Sequence, residues 1–231
     1  MAQVSAEVRL FLQVTDAVVI RDFTEWFNSR RILPGGGVKR RTDVYVVDDS
    51  TDELGIKDRE GNTGLEVKSL VNRELCRLRF GGLDLTAQIW TKVTSKVLTL
   101  PTAPSSALAT HKTRWLRKFE TAGSTAIEVE LGCGAFGEDP KKGPPPDVGC
   151  NVEWTLVKSP GFPVHSWTFG LEAFVFGQKG AGVLVLQDSL TKTLAELLSK
   201  TPLPPKLGTQ WRELSYPAWI RNAKSERVSR S

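Results

Sequence analysis

Charged residues alternate with apolar residues in five short stretches of this chain, and both signs of charge occur among them. Residues two apart on a β-strand share a face, so each stretch predicts a strand with one apolar face and one ionic face. If such strands close into a barrel, their ionic faces line one space, which suits a metal cation held beside a chain of phosphates. The alternative is an antiparallel sheet whose charged face lies in water. The five stretches are residues 7–11, 57–59, 65–68, 127–130 and 152–155.

The strongest metal-binding candidate in these stretches is the pair Glu128 and Glu130, which share one face of a predicted strand. Adjacent carboxylates repel each other unless a cation lies between them, and a divalent ion such as Mg²⁺ or Mn²⁺ serves this purpose well. A solvated strand face explains the same pattern, and the two interpretations remain open at this point.

Basic residues follow the same period. Lys57 and Arg59 share a face, and Lys68 shares one with Glu66. Cations directed into one space would neutralise phosphate charge, and arginine can bind phosphate through two parallel hydrogen bonds. Arg77 lies on a further predicted strand, where it could line a polyphosphate site or keep a sheet edge soluble.

Composition limits the class of protein. The chain has 231 residues, of which 40% are hydrophobic and 25% charged, as in an ordinary globular protein. The net charge of +5 favours anionic partners only weakly. Nucleic acid is not favoured as a partner, although the run from Arg114 to Lys118 around Trp115 could offer stacking and phosphate contacts, because 26 acidic residues are spread through the same strands.

Cysteine and histidine usage argues against several kinds of site. Three widely spaced cysteines without a CxxC pair support neither a disulfide framework nor a zinc knuckle, and they indicate a reducing compartment. Only two histidines are present, so a histidine-based zinc site or a catalytic triad has little support. We expect no signal peptide and no membrane span, and therefore a cytoplasmic protein.

The hydrophobic pattern predicts a mainly β protein of the α+β class, with flanking helices. Helices are predicted at 16–29 and 184–198, where apolar residues recur at helical spacing. Residues 221–230 are predicted to be a frayed tail. Strands are predicted at 4–14, 40–47, 54–59, 64–70, 75–80, 111–120, 126–131, 151–158 and 166–176, and residues 83–97 are predicted to form one long strand or two short ones.

The order of these motifs resembles that of the CYTH superfamily, the triphosphate tunnel metalloenzymes, over roughly residues 4–176. The resemblance is carried by Glu7-Val-Arg9, Thr42-Asp43-Val-Tyr45, Lys57-Asp-Arg59, Glu66-Val-Lys68, the basic strand at 112–118, Glu128-Val-Glu130, Glu153 and Glu172. It implies a closed antiparallel β-tunnel of about eight strands. It also implies basic residues that bind a triphosphate and glutamates that hold one or two divalent metals. The predicted organisation is a single domain over residues 1–231, with a core at about 4–200 and a C-terminal extension at 201–231.

The chain departs from the family signature on the first strand. The family has ExExK, whereas this chain has Glu7-Val-Arg9-Leu-Phe11, so Arg9 replaces a glutamate and Phe11 replaces the lysine. Two hypotheses follow. Either other glutamates rebuild the metal site, or the tunnel is a non-catalytic barrel that binds an organic anion or a partner segment.

The first hypothesis is a Mg²⁺- or Mn²⁺-dependent phosphohydrolase acting on a triphosphate or another phosphorylated compound. Catalytic roles are predicted for Glu128, Glu130 and Lys68. Substrate-binding roles are predicted for Arg9, Lys57, Arg59, Lys68, Arg77, Arg114 and Lys118. The predicted metal ligands are Glu7, Glu66, Glu128, Glu130, Glu153 and Glu172.

Overall fold

The computed structural model describes residues 2–13, 17–28, 38–59, 64–98, 107–129, 146–160, 165–176, 182–199, 203–204 and 211–228. The strands among them are β1 (Ala2–Gln13), β2 (Lys39–Val46), β3 (Leu54–Arg59), β4 (Leu65–Phe80), β5 (Leu83–Ser95), β6 (Ala107–Glu120), β7 (Ile127–Val129), β8 (Val148–Lys158), β9 (Ser166–Val175) and β10 (Trp211–Glu213). The helices are α1 (Ala17–Asn28), α2 (Val183–Ser199) and α3 (Tyr216–Val228).

Eight of the strands form a closed antiparallel barrel. Their order is β1-β5-β4-β3-β2-β6-β8-β9, and β9 pairs back onto β1 to close the ring. Two short strands lie off this ring, since β7 adds to β6 and β10 adds to β1. The closed barrel with flanking helices confirms the fold class predicted from the sequence.

The outward face of the barrel wall carries the larger hydrophobic core. On β1, Val8 and Leu10 point outward and are 2% and 1% exposed. Helices α1 and α2 cover this face with apolar residues that recur at helical spacing, among them Phe23 of α1 and Leu190 of α2. Trp154 of β8 is fully buried there, and its indole N–H donates a hydrogen bond to Thr24 Oγ1 at 2.9 Å.

A second, smaller core closes part of one end of the barrel. Phe11 stacks on Trp219 of α3 with ring centroids 5.4 Å apart. Ser215 caps α3, since its hydroxyl accepts a hydrogen bond from the Ala218 amide at 3.2 Å, and Pro217 suits the first turn. The other residues of this core are Tyr45, Leu108, Val157 and Ile220.

The sequence predictions were wrong at two places in the fold. The strands predicted at 64–70 and 75–80 are one strand, β4, whose register against β5 shifts between Leu70 and Asn72 and again before Cys76. Such bulges interrupt the alternation from which strands are predicted. The tail expected to fray is helical to Val228, with ion pairs from Arg221 to Asp52 and from Lys224 to Asp49.

Within the described part of the chain, no helix combines the length and apolar character needed to cross a membrane.

Candidate anion-binding cavity

The inward face of the barrel wall encloses a cavity of about 300 Å³, at the lower end of the range for small-molecule sites. Because side chains alternate along each strand, the residues between the outward apolar ones point into it. Nine basic residues line it: Arg9, Arg41, Lys57, Arg59, Lys68, Arg73, Lys92, Lys112 and Arg114. Six acidic residues line it: Glu7, Asp52, Glu66, Glu153, Glu172 and Glu213. Basic residues therefore outnumber acidic residues by three in the described lining.

One carboxylate in the cavity lining, that of Glu153, is shared by two arginines. Arg9 Nη1 donates to one oxygen of Glu153 at 2.9 Å, and Arg114 Nε donates to the other at 3.0 Å. Burial alone would raise the pKa of Glu153, but Arg114 and Arg9 outweigh it and hold that pKa well below its usual range. Glu153 is therefore an anion, and both of its oxygens are engaged by the protein.

A second carboxylate, Glu66, is held between two cations on the neighbouring strand β3. Lys57 Nζ lies 2.6 Å from one of its oxygens, and Arg59 Nη2 lies 2.6 Å from the other. Burial would raise the pKa of Glu66, but Lys57 and Arg59 lower it to about 2. Burial also lowers the pKa of Lys57 to about 8, with Arg59 and Arg41 adding to the effect and Glu66 opposing it. Arg59 Nε is buried without a hydrogen-bond partner among the described residues.

Two further glutamates lie opposite each other on β1 and β9. The strand register places Glu7 and Glu172 as cross-strand partners. Burial raises the pKa of Glu7, with Lys68 opposing and Glu172 adding to it. Burial would also raise the pKa of Glu172, but Lys92 and Lys68 lower it. Lys68 forms an ion pair with Glu7, and Lys92 Nζ lies 3.6 Å from Glu172.

The end of the cavity beside α3 contains groups that the sequence predictions missed. Lys112 Nζ lies 2.9 Å from Asp43 and donates to the Tyr45 hydroxyl at 2.7 Å. The Tyr216 ring covers the same nitrogen, with its centroid 3.7 Å from Nζ. Alternation along β2 and β6 could have indicated Asp43 and Lys112. No sequence pattern could have linked Tyr216 to these two residues, because Tyr216 belongs to α3, which follows the last strand of the barrel.

The structure brings many of the predicted site residues together. Arg9, Lys57, Arg59, Lys68, Arg114, Glu7, Glu66, Glu153 and Glu172 all line the cavity. Their roles in catalysis, substrate binding or metal binding stay predictions.

Glu128 lies elsewhere, so the prediction that its face joins the others was wrong. It stands opposite Phe119 on β6, on the outward face, where Arg117 binds both of its oxygens at 2.9 and 2.7 Å. Alternation defines two faces of a strand but does not say which one points inward. Its predicted companion Glu130 is outside the described residues.

Two predicted phosphate-binding residues also lie away from the cavity lining. Arg77 is 75% exposed and pairs with Glu74 at 3.0 Å, because the outer part of the β4–β5 hairpin turns this face to solvent. Lys118 lies near the end of β6, between Asn151 and Val129 on the flanking strands, and is not part of the described lining.

The side chains present do not fit a metal site built from protein ligands alone. In the described ranges, no three His, Cys, Asp or Glu residues come together where they could hold a metal ion. The four lining glutamates discussed above are each paired with a lysine or an arginine. A metal would have to displace these cations or share the carboxylates with them.

No family model matches the sequence, and no curated protein matches it. Among solved structures, the RNA triphosphatase Pct1 of S. pombe is similar, at 10% identity over 76% of this chain and 71% of that one, with a TM-score of 0.38. Pct1 in complex with the Spt5 CTD is also similar, at 10% identity over 75% of this chain and 70% of that one, with a TM-score of 0.37. Similarity at this level does not indicate a shared activity.

Proposed function

We propose that the barrel binds a phosphorylated small molecule, or another compact polyanion, in its interior. The observation that carries this proposal is the enclosure of nine basic and six acidic side chains around one cavity. Cations in such a space act on a ligand through less water than at an open surface, so their attraction for phosphate is strengthened.

Hydrogen-bonding capacity supports the same proposal. Arginine has five N–H donors and an ammonium has three, so Lys57 and Arg59 together offer more donors than the two oxygens of Glu66 can accept. The buried Arg59 Nε is one donor left without a partner by the described residues. A phosphate chain supplies many acceptor oxygens and can use such surplus donors.

The solvated-face interpretation does not suit these side chains. Glu66 is 3% exposed, and the side chains of Arg9 and Glu153 are 12% and 11% exposed. Burying charged groups is costly even when they are paired. A role in binding a ligand explains why charged side chains occupy the barrel interior.

Titration calorimetry with tripolyphosphate tests the proposal. We expect the wild-type protein to bind one tripolyphosphate, and Arg59→Ala to weaken binding about 10- to 100-fold, the usual effect of removing a charge-assisted hydrogen bond. Arg59→Lys should recover only part of the loss, since it keeps the charge but not the two-pronged geometry. Arg79→Ala is the matched control, because Arg79 is 85% exposed outside the cavity. Equal affinities for wild type and Arg59→Ala would contradict the proposal.

A second candidate function is the metal-dependent phosphohydrolase predicted from the sequence. The cross-strand pairing of Glu7 with Glu172 favours it, because Mg²⁺ often takes one or two carboxylates from a protein and its other ligands from phosphate and water. When bound, Mg²⁺ or Mn²⁺ would polarise a phosphoryl group. Because Lys68 and Lys92 already pair with these two carboxylates, we rank this function below anion binding.

Release of phosphate from inorganic and organic triphosphates, with Mg²⁺ or Mn²⁺ added, tests the second candidate. If it is correct, Glu172→Gln removes the release, whereas Glu128→Gln, outside the cavity, leaves it nearly unchanged in the folded protein. Absence of release from every triphosphate with either ion would reject hydrolysis and leave the binding function standing.

A further inference from the structure

The guanidinium of Arg9 lies against the barrel wall at a position where the neighbouring strand carries a glycine. On the adjacent strand β9, Gly170 lies directly opposite Arg9. A Cβ atom at Gly170 would lie 2.8 Å from Arg9 Cζ and 2.9 and 3.0 Å from its two terminal nitrogens. Real Cβ atoms do not approach neighbours so closely, so a side chain at this position would displace the guanidinium. The absence of a side chain at Gly170 lets the guanidinium lie against the backbone.

Further contacts hold the guanidinium in its position against Gly170. The Tyr216 ring of α3 lies over it, with the ring centroid 4.5 Å from Cζ, a distance that gives a cation–π attraction. Nη1 donates to Thr168 Oγ1 at 3.1 Å as well as to Glu153. Arg9 is therefore fixed by four neighbours on three elements and is not a mobile surface cation.

The fixed charge lies among the carboxylates that a metal would need. Arg9 contacts Glu153, and its charge also acts on Glu7 and on Glu172. An arginine keeps its charge at any pH that a folded protein tolerates. A divalent ion placed among these glutamates would meet a permanent positive charge in a confined space, where like charges repel strongly.

We propose that Arg9 takes the place of a bound metal ion in the cavity, so that the barrel binds its polyanion without any divalent cation. This inference rests on the anion binding proposed above and specifies how that site neutralises its ligand. It also assigns a positioning role to Gly170, which acts through Arg9.

Calorimetry with tripolyphosphate, in EDTA and then with excess Mn²⁺, tests the metal independence. We expect wild type to bind tripolyphosphate in EDTA, since the protein supplies the positive charge itself, and excess Mn²⁺, which chelates the free tripolyphosphate, should not strengthen that binding. Wild-type binding seen only with Mn²⁺ would overturn the inference while the proposed anion binding stands. Failure to bind in both conditions would reject the anion binding and this inference with it.

The positioning role of Gly170 is tested by Gly170→Ala. Gly123→Ala is the matched control, because a Cβ atom at Gly123 would meet nothing within 4 Å. Gly170→Ala should weaken tripolyphosphate binding in EDTA about tenfold or more, the scale of one lost charge-assisted hydrogen bond. In an Arg9→Lys background the same change should have little effect, because the planar guanidinium that needs the space is gone. An equal loss in both backgrounds would show that Gly170 serves the fold alone and would overturn its positioning role.

A third test uses Arg9→Glu, which reverses the charge of the Arg9 side chain. We expect it to lose about 100-fold or more of its affinity for tripolyphosphate in EDTA. It should also bind Mn²⁺, followed by electron paramagnetic resonance, which wild type should not. If Arg9→Glu does not fold, Arg9→Gln serves instead, with the loss in EDTA as the readout. An Arg9→Gln variant that binds tripolyphosphate as tightly as wild type in EDTA would overturn the inference.

Discussion

The two faces of the barrel wall are built from the same strands but differ in almost every physical respect. On β8, Val152 and Trp154 point outward into an apolar core, whereas Glu153 between them points inward to Arg9 and Arg114. The outward face gains free energy by removing apolar surface from water. On the inward face, removing charged groups from water costs free energy, and the ion pairs offset that cost only in part. Stability therefore resides mainly in the outer layer, and the inner layer is available for binding.

The largest expected effect on stability comes from the outer layer. Phe23 of α1 is fully buried and packs against Trp154, with ring centroids 4.5 Å apart. Phe23→Ala should lower the free energy of unfolding by about 3–5 kcal/mol, through lost burial and the cavity left behind. Urea denaturation measures this change. The variant that remains folded should bind tripolyphosphate with nearly wild-type affinity, and a large loss of affinity would mean that the two faces are not independent.

A smaller effect on stability is expected from the inner layer. Glu66→Gln should cost roughly 2–3 kcal/mol at neutral pH, because it leaves the partly buried Lys57 and Arg59 without their counter-charge. The folded-state pKa of Glu66 is about 2, below its ordinary value of 4.5, so the wild-type advantage is present above pH 4.5 and is lost as pH falls towards 2.

Urea denaturation of wild type and Glu66→Gln, at neutral pH and in acid, measures this difference. Asp84→Asn is the matched control, since Asp84 is 70% exposed in its pair with Arg79. An advantage of wild type that stays constant down to about pH 2 would contradict the assigned pKa of Glu66.

The smallest expected effect is a pH dependence of binding at Lys57. Its pKa in the free protein is lowered to about 8, and an anion favours the charged ammonium. The affinity for tripolyphosphate should therefore decline by a few-fold as pH rises above about 8, with uptake of protons on binding. Calorimetry in buffers of different ionisation enthalpy measures that uptake. Lys57→Arg should flatten the decline, and an unchanged slope would show that another group titrates.

Alternation in the sequence predicted the barrel strands and which residues share a face. Glu7 with Arg9, and Lys57 with Arg59, were placed together for this reason. The same rule could not decide which face points inward, and Glu128 shows the consequence, since β7 lies off the barrel and turns it towards Arg117. Contacts between distant segments, such as Tyr216 over Lys112, leave no local pattern and required the structure.

Whether the inward ionic face binds a polyanion can be seen in a crystal structure of the protein soaked with tripolyphosphate. We expect density for the phosphate chain inside the barrel, within hydrogen-bond distance of Arg59 and Lys68, with Arg9 still seated against Gly170. A cavity without the anion, or phosphates bound only on the outer surface near residues such as Arg79, would contradict the claim.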